Sequence, residues 1–204
     1  MIKNVIFDFA DTIAEIHPKK EQLVADFFKK EYNLIIQKRK IVNSYKALDH
    51  FMFYSSIKIL TENEKYNYYK EYNKKLIMSM GLYHLSDEIE TKLYRFFKDT
   101  SRKWMLKPGV KTLLEQLKER EINIGLISNF SNNLNKLINL LNLSHYLKYF
   151  LVSQDAGLEK PNILFYELFL SKSSFNKNES FYVGDNYILD YLPASTLGLS
   201  SYLL

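Results

Sequence analysis

The 204-residue chain has no cysteine, only four prolines and only six glycines. Without cysteine it has neither a disulfide framework nor a thiolate metal site. No window approaches the roughly 18 consecutive apolar residues of a membrane span. The apolar run near the start is short and broken by Asp8, so no signal peptide is expected, and no lipidation motif is evident. These absences together predict a cytoplasmic protein with no membrane partner. Glycine and proline are also unevenly placed. From Glu15 to Trp104 there is one of each, Gly81 and Pro18, and apolar residues there recur at helical spacing, as Leu23, Phe27 and Phe28 do in EQLVADFFKKEY.

What is present points to a globular fold. Apolar residues make up 47% of the chain, ample for a buried core, and the formal charge of +5 suits anionic ligands. The lysines are interspersed with acidic residues rather than gathered in a block. In EKYNYYKEYNKKL, Glu64 to Leu76, tyrosines interleaved with lysines could stack on and neutralise a nucleic-acid strand. An amphipathic helix with tyrosines on a core edge and lysines in water explains the acidic residues as well. No nucleic-acid partner is therefore expected, and the chain is read as a monomer or weak dimer.

Four or so helices are predicted between residues 15 and 104. After LKPGV, Leu106 to Val110, short β-prone runs alternate with helix-length segments. A helix over Val110–Arg120 precedes a strand over Ile122–Ser128. A helix from Asn132 and a strand over Tyr149–Ser153 follow. The next helix is predicted from about Pro161, with proline at its first position. The strand SFYVGD, a helix from about Asp190 and a last strand near SSYLL complete the run. This alternation predicts an α/β fold with a parallel sheet. The strand at residues 3–8 has no crossover helix beside it and is assigned to that sheet. The helical segment, residues 15–104, then becomes an insertion in a core formed by residues 1–14 and 105–204.

Open α/β sheets bind ligands beyond the carboxyl ends of their strands. Four predicted strands end in polar residues: Asp8, Ser128 with Asn129, Ser153 with Gln154, and Asp185. Each alone reads equally as a helix cap or turn former. Asp190, too, reads alone as the N-cap of the last helix. Brought into one crevice with Asp190 and Lys160, they say more. Clustered carboxylates repel unless a cation sits among them, and hard oxygen ligands favour Mg²⁺. A lysine and a hydroxyl beside that cation make a pocket for a phosphate dianion. The chemistry suggested is phosphoryl transfer with a carboxylate nucleophile.

The motifs are specific. Asp8 and Thr12 lie four positions apart, IGLISN ends an apolar strand at Ser128, GLEKPNILFYE carries Lys160, and GDNYILD carries Gly184, Asp185 and Asp190. In order and spacing the chain resembles the haloacid dehalogenase (HAD) superfamily, in the subgroup with a helical C1-type cap after the first motif. The resemblance implies a Rossmann-like three-layer core. It also implies an Asp8 nucleophile oriented by Thr12, with Ser128, Asn129 and Lys160 on the phosphate. A Mg²⁺ site is implied as well, built from Asp8, the Ala10 carbonyl, Asp185 and Asp190. The implied substrate is a small phosphorylated metabolite.

Position 10 departs from the pattern, because a second aspartate is usual there, and Asp11 stands where glycine is usual. Three readings remain open. A phosphatase could work without this acid, since acid–base assistance is worth about 10²–10⁴ in rate. A dehalogenase or phosphonatase also lacks the second aspartate, although dehalogenases generally do not keep the Gly184–Asp185 pair. A phospho-ligand-binding protein of little or no turnover is the third. No residue of the helical insertion can be given a role; His17, Arg39 and His50 are expected to face solvent.

Overall fold

A computed structural model describes residues 1–54, 61–82, 84, 85 and 88–204. It divides into two compact units, residues 1–17 with 104–204, and residues 18–103. The first unit opens with β1 (Asn4–Phe7) and β2 (Ala14–His17). The second unit holds α1 (Lys20–Tyr32), α2 (Lys38–Tyr54), α3 (Glu62–Ser79) and α4 (Ile89–Asp99). The chain returns through β3 (Lys103–Leu106), α5 (Val110–Glu119), β4 (Asn123–Ser128) and α6 (Leu134–Leu140). It ends with β5 (Leu147–Val152), the short α7 (Ser153–Ala156), α8 (Ile163–Ser173), β6 (Ser180–Gly184), α9 (Leu192–Thr196) and β7 (Ser200–Leu203).

The first unit is built on a five-stranded sheet in the order β5-β4-β1-β6-β7. Every neighbouring pair is parallel. The first strand in sequence is thus the middle strand in space, with Phe7 level with Leu126 on one side and Val183 on the other. All of β1 is buried, which explains its unbroken apolar run: a strand covered on both faces has no solvent side to mark with polar residues. Its side chains alternate between two cores. Val5 and Phe7 pack with Leu114 of α5 and Ile138 of α6. Ile6 packs with Phe165 and Phe169 of α8 and Ala194 of α9 on the opposite face.

The second unit has its own core, in which Val24, Phe27 and Phe28 of α1 meet Ile41 and Tyr45 of α2, Tyr72 and Leu76 of α3, and Leu93 of α4. Thr61 and Glu64 form a reciprocal capping box at the start of α3. Along that helix Tyr72 is buried, Tyr66 and Tyr68 are half-buried, and Lys65 and Lys74 are exposed. Among the described residues no helix is long and apolar enough to cross a membrane.

Three local features differ from the sequence expectation. α8 begins at Ile163 rather than at Pro161, because Asn162 caps it by accepting from the Leu164 N–H at 3.0 Å. The last helix is preceded by a π-helical turn over Tyr187–Tyr191, whose cap is Asn186. Asp190 is therefore buried inside that turn instead of capping a helix. A two-stranded sheet of β2 and β3 also forms where the chain leaves and re-enters the first unit; alternation of strands and helices does not announce it.

Candidate functional site

β4, β1 and β6 are adjacent and parallel, so their carboxyl ends open on one side, with neighbouring strands about 4.8 Å apart. Ser128 ends β4, Asp8 follows β1 and Asp185 follows β6. The Asp8 N–H donates to the Val183 carbonyl at 3.0 Å, extending the ladder by one bond before the chain turns away. Lys160 arrives from the loop before α8. Asn129 holds its backbone from both sides, accepting from the Lys160 N–H at 2.7 Å and donating to the Lys160 carbonyl at 2.9 Å. The amide of Asn129, a predicted substrate contact, is thus engaged on the lysine.

The side chains of Asp8, Ser128, Lys160 and Asp190 form one buried network, with the Thr12–Asp185 pair beside it. Lys160 Nζ lies 2.6 Å from Asp8 Oδ1 and 2.6 Å from Asp190 Oδ1. Ser128 Oγ donates to Asp8 Oδ1 at 3.2 Å, and Thr12 Oγ1 donates to Asp185 Oδ1 at a long 3.5 Å. Two members escaped the sequence reading. The Tyr182 hydroxyl donates to Asp190 Oδ1 at 2.8 Å, and the Asn186 N–H donates to Asp190 Oδ2 at 3.0 Å. The available signal was a tyrosine within an apolar strand, whose buried hydroxyl must find a partner. Gly184 completes the arrangement, since a Cβ there would fall 2.4 Å from the Asp190 side chain.

Ser153 and Gln154, at the end of β5, serve the neighbouring loop. Ser153 Oγ donates to the Phe130 carbonyl at 3.2 Å, and Gln154 Oε1 accepts from the Asn132 N–H at 2.9 Å. His17 is half-buried and lies 2.6 Å from Glu15, and Arg39 is exposed. The His50 side chain is outside the described residues. A cavity of about 370 Å³ between Lys111, Glu115, Asn142 and His145 contains no residue of the network.

After Asp8 the chain makes a tight loop. The Phe9 carbonyl accepts from the N–H groups of Ile13 and Ala14, and the Asp11 N–H donates to the Ala14 carbonyl at 2.7 Å. Phe9 is wholly buried, with Trp104 and Phe130 around it at ring distances of 5.1 and 5.6 Å. Ala10 is half-buried and brings no acid. Asp11 is exposed and left-handed, with φ 56°, a conformation that glycine adopts freely and aspartate tolerates.

Burial pushes the Asp8 carboxyl above its ordinary range; Lys160 pulls it back and Asp190 raises it again. For Lys160, burial alone would lower the pKa, but Asp8 and Asp190 outweigh it and keep the ammonium protonated. Asp185 is exposed, yet the surrounding protein desolvates its carboxyl. With the charges of Asp8, Asp190 and Asp11 added, its pKa rises to about 7. Three carboxylates thus face one lysine.

Oxygens of Asp8, Asp185 and Asp190 lie within 4.8 Å of one another. Two oxygens on opposite sides of Mg²⁺ are about 4.2 Å apart. The excess negative charge and the all-oxygen donor set suit a small hard dication, although 4.8 Å is a looser limit than that span.

The chain is 28% identical over 121 residues to a haloacid dehalogenase-like hydrolase domain-containing protein 3 of Xenopus laevis, a match covering 58% of this chain and 50% of that one. It is 29% identical over 99 residues to a ribulose-1,5-bisphosphate 5-phosphatase of Halopiger xanaduensis, covering 48% and 41%. The matched segments span about half the length of these curated relatives. The HAD-hydrolase YfnB of Bacillus subtilis, solved bound to magnesium, superposes with a TM-score of 0.64 over 100% of this chain and 88% of that one, at 18% identity. Residues 5–203 match the haloacid dehalogenase-like hydrolase family, and the chain belongs to it.

Proposed function

We propose that the chain is a Mg²⁺-dependent phosphatase acting on a small phosphorylated metabolite through an aspartyl-phosphate on Asp8. The observation that carries this reading is the buried lysine joined at 2.6 Å to both Asp8 and Asp190, with Ser128 on the same Asp8 oxygen. Lys160 and Ser128 both hold Oδ1, which favours Oδ2 as the attacking atom in this reading. Asp8 Oδ2 forms a bond to phosphorus as the bond to the ester oxygen breaks. Water then attacks the aspartyl-phosphate, releasing inorganic phosphate and restoring Asp8. Lys160 and the Ser128 hydroxyl are placed to stabilise charge on the transferring group. Asp8, Asp185 and the Ala10 carbonyl would hold Mg²⁺, whose contribution there is to neutralise the phosphoryl oxygens.

Asp190 takes a different part in this reading. Its oxygens already accept from Lys160, Tyr182 and Asn186, so it fixes the lysine behind the metal ligands. With Ala10 in place of a carboxylic acid, the leaving oxygen receives no proton from position 10. Esters with good leaving groups should therefore turn over, and alkyl phosphates should react slowly. The ribulose-bisphosphate phosphatase among the relatives supports a sugar phosphate as the substrate class. The residues 18–103 are read as a helical cap that selects it.

The test is hydrolysis of aryl and alkyl phosphates with and without Mg²⁺ by the wild type and Asp8→Asn. Asp8→Asn should lose both activities while keeping the wild-type circular dichroism spectrum. Activity that survives in Asp8→Asn refutes the nucleophile. A wild type inert toward every phosphate ester would favour the second reading, a phospho-ligand-binding protein, which the missing acid at Ala10 also suits.

A further inference from the structure

We infer that Tyr182 is a positioning residue for the Lys160–Asp190 pair and through it for Asp8, an inference that rests on the phosphatase reading. Its hydroxyl is fully buried and donates to Asp190 Oδ1 at 2.8 Å, the same oxygen that accepts from Lys160 at 2.6 Å. The hydroxyl oxygen also lies 3.5 Å from Lys160 Nζ, so the tyrosine borders both halves of the ion pair.

The geometry explains why a hydroxyl is needed. Asp190 rides on a π-helical turn, and its only backbone donor among the described contacts is the Asn186 N–H on Oδ2. One such bond leaves the carboxylate free to rotate about that contact. Tyr182 supplies the second fixed point on Oδ1, and its ring is itself fixed, because β6 pairs with β1 at Ile6 and the ring packs against Tyr166 at 5.5 Å. The strand that delivers Asp185 to the site therefore also sets where Asp190 holds the lysine. Tyr182 touches neither Asp8 nor Asp185 in any described hydrogen bond, and so acts through Asp190 and Lys160.

Removing the hydroxyl alone keeps the ring, takes the donor from Asp190 Oδ1 and removes the long 3.5 Å acceptor of the Lys160 ammonium, so the loss falls on the ion pair itself. Tyr182→Phe should lower kcat for an aryl phosphate about 10-fold, the scale of one hydrogen bond to a charged group, with KM within about twofold of wild type. Phe169→Leu, in the same core but without a polar contact to the network, serves as the stability control. It should lower the thermal midpoint while leaving kcat near the wild-type value.

Two results overturn the proposal: an unchanged kcat in Tyr182→Phe, or a fall no larger than that of Phe169→Leu. If the wild type itself hydrolyses no phosphate ester, the phosphatase reading fails separately. The positioning claim is then decided by a crystal structure of Tyr182→Phe. A Lys160 that has moved away from Asp190 or Asp8 supports it, and a lysine that keeps both short contacts refutes it.

Discussion

In the α/β unit five of the buried polar side chains, Asp8, Thr12, Ser128, Lys160 and Asp190, converge at the ends of three neighbouring strands. In the helical unit Asn73 and Thr91 are buried singly, and each joins α3 to α4 by one bond, to the Glu90 carbonyl and to the Tyr66 hydroxyl. The second arrangement is what folding alone produces, since an isolated buried polar group needs one partner and finds it nearby. The first is not explained by folding. Burying three charges in a connected set is costly, and an apolar replacement of similar shape is often at least as stable. The difference separates a region shaped by chemistry from one shaped by packing.

The sharpest way to break this comparison is to cut one residue from each unit. Lys160→Met leaves Asp8 and Asp190 facing each other and should cost about 3–5 kcal/mol. Leu76→Ala, in the helical core, should cost about 2–5 kcal/mol through lost contacts and a cavity. The two should separate on adding Mg²⁺: a cation can replace the missing lysine charge, so the melting temperature of Lys160→Met should recover in part, while that of Leu76→Ala should gain no more than the wild type. Equal responses in calorimetric melts would mean the network is merely another piece of core.

A smaller effect is expected at the loop after Asp8. Ala10→Asp with Asp11→Gly should raise alkyl-phosphate turnover by up to about 10²-fold, the lower end of general-acid effects, and aryl-phosphate turnover less. Glycine at position 11 also suits the left-handed φ of 56° better than aspartate does. Parallel gains on both substrate classes would show that something other than protonation of the leaving group had improved.

The smallest effect is a pH dependence. Burial and the neighbouring carboxylates push Asp185 up to about 7, and on the proposed reading its carboxylate would hold Mg²⁺. Apparent Mg²⁺ affinity should therefore fall as pH drops below about 7, approaching tenfold per unit, and the slope should become shallower in Asp185→Asn, where of the proposed ligands only Asp8 is left to titrate. Stability of the metal-free protein runs the other way. The folded state holds this proton more tightly than the unfolded chain, so the favourable contribution is present below the ordinary value of 3.8 and is lost as pH rises to about 7. Titration calorimetry across pH 6–8 checks the first statement and thermal melts across pH 4–8 the second.

Part of this site was legible because Asp8, Ser128 and Asp185 each end an apolar run. Val5, Ile6 and Phe7 stop at Asp8, and Ile127 stops at Ser128, so burial and polarity change over a single residue. Lys160 and Asp190 were legible only through their spacing from the other motifs. The contacts that fix them were not. That Asn129 grips the Lys160 backbone, and that Tyr182 reaches Asp190, depend on how loops and a π-helical turn close in space, which neither a period of two nor one of 3.6 encodes. Asp190 reads as a helix cap in sequence for the same reason: an aspartate ahead of a helical run looks alike whether or not an extra residue widens the turn. In the helical unit the apolar periodicity describes its core and nothing further, so Arg39 and His50 carry no legible role, and neither does His17 at the end of β2.

The central place of β1 in the sheet bears on how the chain is made. A ribosome extrudes β1 first, yet neither of its neighbours exists until β4 and then β6 have emerged, with the whole helical unit synthesised in between. During that interval the nascent chain carries an unpaired apolar strand, which the cell must shield from other chains. Asp8 is thus translated before Ser128, Lys160 and Asp190, so an incompletely translated chain holds it without the partners that the proposed mechanism requires.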